Sequence, residues 1–469
     1  MTADAFHVIR SREAAQRMDE EFEDRREVDS DPIVVSKHGA QRDIDGTIEI
    51  KYDQETVAEW FDGSVPGVVL DLIEIALATY AADRNVERVI SIPDDDYRAR
   101  VNTRNLRFTV PILADGLSGS VAERLLGETV SRTSRDLVEY RTYQPTVSRS
   151  VPLQERTGEL DAVSLFSGGI DSTGGVFYNR REGIEASYLS LNYAGVSPLV
   201  DSVGNQAGVD PEVVSIELVG RSKEFTQFSR GFLHLVFGVA AALGYGAPLL
   251  QCFENGLVAR FDILQDGWMT TRTVRPEFLD SFNALLRESV GERVAVDNPF
   301  DDRTKADVLN LIPRRDVVLE TVSCPHTDRF NGVESDQDNC GLCVPCVIRT
   351  ISLRASDHSV SELPTTIFNS FSGADFDQLT LELEDWNPEE FKIEQRAVSP
   401  DVFVRSVVEI AYLCRHLLNG DEELVVGDYP ELYDERVLNF HRQFAEEFES
   451  AIDSISKENP TATRLLDPY

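Results

Sequence analysis

The feature that most constrains the fold of this chain is an apolar strand that runs directly into a glycine pair and then into a helix. The segment covers residues 164–173 and reads SLFSGGIDST. Two glycines let a backbone approach a polyphosphate closely, and the N–H groups at the start of the helix can bind anionic oxygens. The segment lacks the Gly-Lys-Ser/Thr ending of a Walker A loop. Its alternative interpretation is a plain glycine turn followed by a capped helix.

The candidate nucleotide-binding residues of this segment share small or oxygen-bearing side chains. They are Ser167, Gly168, Gly169, Asp171, Ser172 and Thr173. The hydroxyl groups can donate to phosphate oxygens, and we predict catalytic roles for Ser167, Asp171 and Ser172. Asp171 is the candidate ligand for the Mg²⁺ that accompanies a nucleoside triphosphate, because Mg²⁺ prefers oxygen ligands.

Apolar runs that alternate with helical patterns begin at this segment and continue after it. The runs predicted as strands are residues 162–166, 186–192, 213–218, 247–253 and 317–322. Strand–helix alternation predicts an α/β fold with a doubly wound parallel sheet, in which ligands bind at the carboxyl ends of the strands.

The flanking sequence has a different texture. Residues 1–155 are predicted to form an α+β extension, with a solvated arm or edge helix over the first 30 residues, a helix over 68–84, a half-buried strand over 104–112 and a linker over 145–159. Residues 356–469 are predicted to form a helical region, with helices over 401–418 and 434–456. The central domain is then residues 156–355.

Four of the six cysteines crowd together at Cys324, Cys340, Cys343 and Cys346. Four thiolates at such spacings suit a tetrahedral structural Zn²⁺ site. An iron–sulfur cluster and a redox pair are the competing interpretations, and His326 is a further candidate ligand. In a reducing compartment the clustering favours a metal over a disulfide.

The charge balance limits the partners of this chain. Asp and Glu number 82 against 45 Lys and Arg, for a net charge of −37. Self-repulsion of this size is relieved when molar salt screens it, and only six of the 45 basic residues are lysine. The composition therefore indicates a halophile's protein, with an ordinary acidic protein as the alternative. No basic patch favours direct nucleic-acid binding. The sequence shows no signal peptide, and the apolar run at 232–250 contains His234 and Pro248, which favours a buried helix. We therefore expect a cytoplasmic protein.

The SGGIDST segment resembles the PP-loop of the N-type ATP pyrophosphatases, which share a HUP-like fold. Further segments resemble the 7-cyano-7-deazaguanine synthase (QueC-like) branch. In chain order they are Arg230-Gly231, Glu254-Asn255-Gly256, Arg275-Pro276-Glu277-Phe278, Thr304-Lys305-Ala306-Asp307-Val308 and the cysteine set. The resemblance implies that Arg230, Asn255 and Arg275 bind the nucleotide and that Lys305 is catalytic. Without it, these residues would be interpreted as ordinary turn, helix-start and surface residues.

The resemblance also implies an activity. An ATP-dependent C–N ligase would adenylate the carboxylate of a 7-carboxy-7-deazaguanine, release pyrophosphate and let a nitrogen nucleophile attack. Residues 193–197 and 272–274 depart from the family pattern, and the extensions resemble the long forms of antiviral defence systems (the Qat type). The nucleophile is therefore either ammonia, for queuosine or archaeosine synthesis, or an amine of a co-encoded protein.

Two other interpretations stay open at this point, a catalytically idle adenine-nucleotide-binding scaffold and a tRNA-thiolating enzyme. The expected cofactors are ATP, Mg²⁺ and Zn²⁺, and a homodimer is a candidate assembly.

Overall fold

The structure of the protein is a computed structural model. It describes residues 4–9, 30–36, 48–88, 90–91, 100–101, 103–144, 151–156, 158–193, 197–219, 224, 228–257, 274–323, 344–358, 400–428 and 434–458. Within these ranges the chain forms a ten-stranded sheet, a separate two-stranded ribbon and helices that cover the sheet or pack together near the carboxyl end.

The N-terminal part contributes five strands to the large sheet. They are β1 (Asp4–Ile9), β2 (Ser30–Ser36), β3 (Ile48–Tyr52), β6 (Asn105–Pro111) and β7 (Leu137–Tyr143), while β4 (Ile90–Ser91) and β5 (Arg100–Val101) form the ribbon. The helices of this part are α1 (Gln54–Glu59), α2 (Gly67–Asn85) and α3 (Ser120–Ser134). Helix α2 is buried along nearly its whole length, and its buried residues include the charged Asp71 and Asp83 beside the apolar ones.

The central part contributes the other five strands. They are β8 (Ala162–Leu165), β9 (Ala186–Asn192), β10 (Glu212–Val219), β11 (Leu249–Gln251) and β12 (Ala295–Asp297). Its helices are α4 (Ile170–Glu182), α5 (Ser197–Ala207), α6 (Arg230–Tyr245), α7 (Pro276–Ser289), α8 (Lys305–Leu311) and α9 (Arg315–Glu320). The order β12-β11-β8-β9-β10 is parallel throughout, so the carboxyl ends of these strands lie at one edge of the sheet.

The carboxyl-terminal part is helical in the described ranges, as predicted. It contains α10 (Val344–Ala355), α11 (Pro400–Asn419), α12 (Glu422–Asp428) and α13 (Glu435–Glu458). Buried apolar residues of these helices form a core of their own, which also includes Leu257. Helix α13 contacts both α10 and α11 and so holds this part together.

The two halves of the large sheet meet at a single antiparallel joint. Strand β3 pairs with β10, and the pairing brings Ile50 opposite Leu218 and Tyr52 opposite Ile216. Helices α2 and α6 pack against each other, and one apolar core includes residues of both halves. Trp60 of the N-terminal part donates to Glu212 at 2.8 Å. Segments on both sides of the predicted boundary at residue 155 therefore share one sheet and one core.

A buried ionic cluster ties the N-terminal part to the start of α6. Asp83 and Asp136 bind Arg88 and Arg104 with every side chain at most 5% exposed. The Arg88 to Asp136 contact measures 2.5 Å. Asp83 also accepts hydrogen bonds from the backbone N–H and the hydroxyl of Ser229, both at 2.8 Å. Ser229 directly precedes α6, so the cluster fixes where this helix begins.

Two sequence predictions need correction here. Residues 317–322 do not form a strand, because Arg315–Glu320 is a helix, and the fifth central strand is Ala295–Asp297 instead. Residues 4–9 do not form an arm or a helix, because Asp4–Ile9 is a strand between β2 and β6. Phe6 and Val8 alternate into the core within this charged stretch.

The apolar run at 232–250 lies largely in α6, whose buried residues pack into the core. No helix in the described ranges combines the length and the hydropathy that a bilayer span needs.

Candidate active site

The loop between β8 and α4 places its polar groups at the carboxyl edge of the central strands. Gly168 has φ of +75°, a conformation that glycine adopts without strain. The N–H of Gly169 donates to Ser167 Oγ at 3.3 Å, and the N–H of Ser167 donates to Ser172 Oγ at 3.2 Å. Helix α4 has no side-chain cap at Gly169, so N–H groups of its first turn stay available to an anion.

Asp171 is the centre of the polar contacts in this site. Its Oδ2 accepts from Lys305 Nζ at 2.6 Å and from Asn255 Nδ2 at 3.1 Å. The side chains of Lys305 and Asp171 are only 8% and 10% exposed. Three segments far apart in sequence therefore meet at one carboxylate: the first turn of α4, the turn after β11 and the start of α8.

Glu254 stands beside Asp171 and was not among the site residues predicted from sequence. It follows β11, the neighbour of β8, and Asn298 holds its backbone in place by accepting from the Glu254 N–H at 3.1 Å and donating to the Glu254 carbonyl at 2.9 Å. Burial and the adjacent Asp171 carboxylate raise the pKa of Glu254 to about 8. Its place after a strand next to the loop strand was the signal that could have found it.

The raised pKa of Glu254 predicts a pH-dependent stability. A carboxyl whose pKa is raised from 4.5 to about 8 on folding stabilises the fold below pH 4.5, and this contribution is lost as the pH rises through 8. Glu254→Gln removes the titrating group. Urea unfolding at pH 5 and pH 8.5 should show the variant gaining stability relative to the parent at the higher pH, by about 1.4 kcal/mol per pH unit at most. A difference that stays constant with pH would contradict this assignment.

Arg230, Tyr193 and His234 flank the site on the side of β9 and α6. The rings of Tyr193 and His234 stack with centroids 5.5 Å apart, and Tyr193 also contacts Tyr80 of α2 at 5.4 Å. Burial, aided by the Arg230 charge, lowers the pKa of His234 to about 3, so its ring is neutral. Arg230 itself is exposed at the start of α6, and its charge reaches Glu254. The N-terminal part thus contributes an aromatic residue to this side of the site.

The remaining predicted residues make none of the hydrogen bonds given above for Asp171, or they fall outside the described ranges. Thr173 is fully buried within α4. Arg275 is the N-cap residue of α7, and the hydrogen bonds described at Asp171 do not include it. Cys346 is buried in α10, whereas Cys324, Cys340, Cys343 and the alternative ligand His326 fall in 324–343, outside the described residues. Among the described residues no group of three potential ligands is close enough to hold a metal ion.

The oxygen atoms around Asp171 fit a hard divalent cation paired with a polyphosphate. Asp171 Oδ1 is buried and has no hydrogen-bond partner among the described residues. A buried carboxylate oxygen without a partner is costly unless a ligand satisfies it. Together with the Glu254 carboxyl, which must lose its proton to bind a metal, it would form the kind of oxygen donor pair that Mg²⁺ prefers. Asp171 and Glu254 are therefore the residues that would hold Mg²⁺ here.

Residues 273–357 match the model of a family described as "Queuosine biosynthesis protein QueC". This stretch contains α7, α8, α9 and α10 and therefore includes Lys305 and the cysteine segment. The match covers 85 of the 469 residues and makes this part of the chain similar to that family, in agreement with the resemblance of the sequence motifs. No curated protein matches the chain.

Proposed function

We propose that this protein is an ATP-dependent ligase that adenylates the carboxylate of a 7-carboxy-7-deazaguanine type of acid and releases pyrophosphate. The observation that carries the proposal is the meeting of Lys305, Asn255 and Glu254 at Asp171, next to an uncapped helix N-terminus. A polyphosphate needs backbone N–H donors, a cation and a metal-binding carboxylate, and this site offers all three. The family match over 273–357 supports the choice of substrate class.

The residues of the chain divide the work of adenylation among them. The first-turn N–H groups of α4, with Ser167 and Ser172, bind the phosphates and stabilise the charge that develops on departing pyrophosphate, an effect worth about 3 kcal/mol for a well-placed donor. Lys305 supplies a positive charge that Asp171 holds in position. Mg²⁺, when bound, neutralises phosphate charge and orients the leaving group. Exclusion of water then protects the acyl adenylate from hydrolysis.

The second step transfers the acyl group from AMP to a nitrogen. With ammonia, the carbonyl carbon forms a C–N bond, the bond to AMP breaks and the nitrogen loses a proton, on the route to the nitrile. With an amine of a co-encoded protein, the same step gives an amide. We propose the protein amine, as in the Qat-type defence systems, because residues 193–197 and 272–274 depart from the family pattern.

ATP–pyrophosphate exchange with 7-carboxy-7-deazaguanine in molar KCl tests the first step. Exchange that depends on the acid is expected. Nucleotide binding without exchange would instead support the idle scaffold. Mass spectrometry after addition of ammonium, or after co-expression with the product of a neighbouring gene, then identifies the nucleophile. Efficient nitrile formation with no protein adduct would overturn the choice of a protein amine.

We also propose that Cys324, Cys340, Cys343 and Cys346 bind a structural Zn²⁺ ion. The support is the spacing of the four thiols and the match of their segment to the same family. We expect about one zinc ion per chain and a loss of folding, not only of turnover, in Cys343→Ser, because structural zinc contributes its binding energy to folding. Elemental analysis that finds iron, or an unchanged melting temperature in the variant, would reject the zinc site.

A further inference from the structure

The carboxyl-terminal helix α13 contacts the helix that carries Lys305. Glu447 Oε1 accepts from Thr304 Oγ1 at 2.5 Å. Thr304 is the N-cap of α8, and its Oγ1 in turn accepts from the N–H of Asp307 at 3.2 Å. Lys305 is the first residue of the same helix. Glu447 therefore binds the cap from which the backbone of Lys305 starts.

A second contact from α13 reaches the same turn of α8. Gln443 Nε2 donates to Asp307 Oδ2 at 2.8 Å and to Glu447 Oε1 at 3.3 Å. Asp307 Oδ2 also accepts from the N–H of Thr304 at 3.2 Å, which closes a capping box. Helix α13 therefore binds both residues of the capping box, Thr304 through Glu447 and Asp307 through Gln443. Gln443 and Glu447 lie one turn apart on α13.

Keeping a carboxyl at position 447 has a cost that packing alone does not explain. Burial raises the pKa of Glu447 to about 7. Its Oε2 is buried and has no hydrogen-bond partner in the described part of the chain. An apolar residue of similar size would avoid both penalties. The contacts with Thr304 and Gln443 are the hydrogen bonds that this side chain makes in return, and the one to Thr304 is the shorter.

We propose that Glu447 is a positioning residue for the active site, which acts through Thr304 to hold the first turn of α8 and keep Lys305 against Asp171. This inference rests on the proposed function and gives the carboxyl-terminal region a role in it. The cap and the site are one residue apart, so a loosened first turn displaces the Lys305 backbone directly. In a site of this kind, a displacement of about 1 Å can cost 10²-fold in rate.

Lysine labelling of the full chain tests the inference without any need for turnover. Lys305 is 8% exposed and paired with Asp171, whereas Lys457 is exposed on α13 itself and serves as the internal reference. An amine-acylating reagent should modify Lys305 slowly relative to Lys457. In Glu447→Ala the ratio should rise at least fivefold, while Glu447→Gln, which keeps an acceptor oxygen, should stay within twofold of the parent.

Kinetics and a matched control complete the test. Glu446→Ala changes the exposed neighbour of Glu447 on the same helix and should leave the labelling ratio unchanged. In ATP–pyrophosphate exchange, Glu447→Ala should lower kcat about tenfold or more with a smaller change in KM for ATP. An unchanged labelling ratio in Glu447→Ala, or an equal rise in Glu446→Ala, would overturn the role of Glu447. If Glu447→Ala fails to fold, Gln443→Ala replaces it, with an expected rise of at least twofold.

The two proposals fail separately. A parent protein that shows no exchange, but whose Lys305 becomes reactive in Glu447→Ala, would refute adenylation and keep the positioning role. If the parent protein and Glu447→Ala exchange pyrophosphate equally well, adenylation stands and the positioning role of Glu447 is refuted.

Discussion

Asp171→Asn is expected to lower ATP–pyrophosphate exchange by at least about 10²-fold, the loss typical of removing one preorganised electrostatic group from an active site. Asparagine keeps the size of the side chain but removes the charge that pairs with Lys305 at 2.6 Å. It also removes one of the two carboxylates that would bind Mg²⁺. The measurement is acid-dependent exchange at saturating ATP and Mg²⁺.

Glu182→Gln is the matched control for this variant. Glu182 is an exposed carboxylate at the other end of the same helix, α4. It should keep full exchange activity and the melting temperature of the parent, whereas Asp171→Asn should stay folded but lose stability, because it leaves the buried Lys305 without its partner carboxylate. Undiminished exchange in Asp171→Asn would remove Asp171 from the catalytic machinery.

The largest effect on stability is expected in the buried ionic cluster. Asp136→Ala leaves Arg88 and Arg104 facing a single carboxylate, Asp83, in a site whose side chains are at most 5% exposed. Breaking a buried ion pair from one side costs about 3–5 kcal/mol, because the remaining charge is left without compensation. Urea unfolding in molar KCl should show a loss of this size.

An exposed ion pair on α3 provides the control. Arg124 and Glu128 are 2.8 Å apart and are 58% and 45% exposed. Glu128→Ala should cost no more than about 0.5 kcal/mol, since solvent and salt screen such a pair. If Glu128→Ala and Asp136→Ala lower the free energy of unfolding equally, the buried cluster stabilises the fold no more than an exposed ion pair does.

Much of the loop and its surroundings could be predicted from the sequence. The strand–loop–helix at 162–182 combines a β pattern, a glycine that needs positive φ and a helix start, and these local signals agree with one another. The helices over 68–84 and 401–418 were predicted within a few residues, because apolar periodicity and helix-end signals coincide there. The pairing of Lys305 and Asn255 with Asp171 was not predictable from spacing, since those residues are distant in sequence.

The errors arose where local signals are ambiguous. Residues 317–322 contain a short apolar run, and such a run cannot distinguish a strand from a buried helix segment. Strand β12 has only three residues, too few for a period to be visible. The joint between β3 and β10 depends on a pairing across more than 160 positions, which no local pattern encodes.

The antiparallel joint has a consequence for how the chain folds during synthesis. The first five strands of the sheet leave the ribosome before β10, so the outer edge of β3 must wait for residues 212–219 before it finds its partner. An unpaired strand edge invites pairing with other chains. We therefore expect the nascent N-terminal part to be the form of this protein most prone to aggregate or to need a chaperone. This tendency ends when β10 pairs with β3 and covers its free edge.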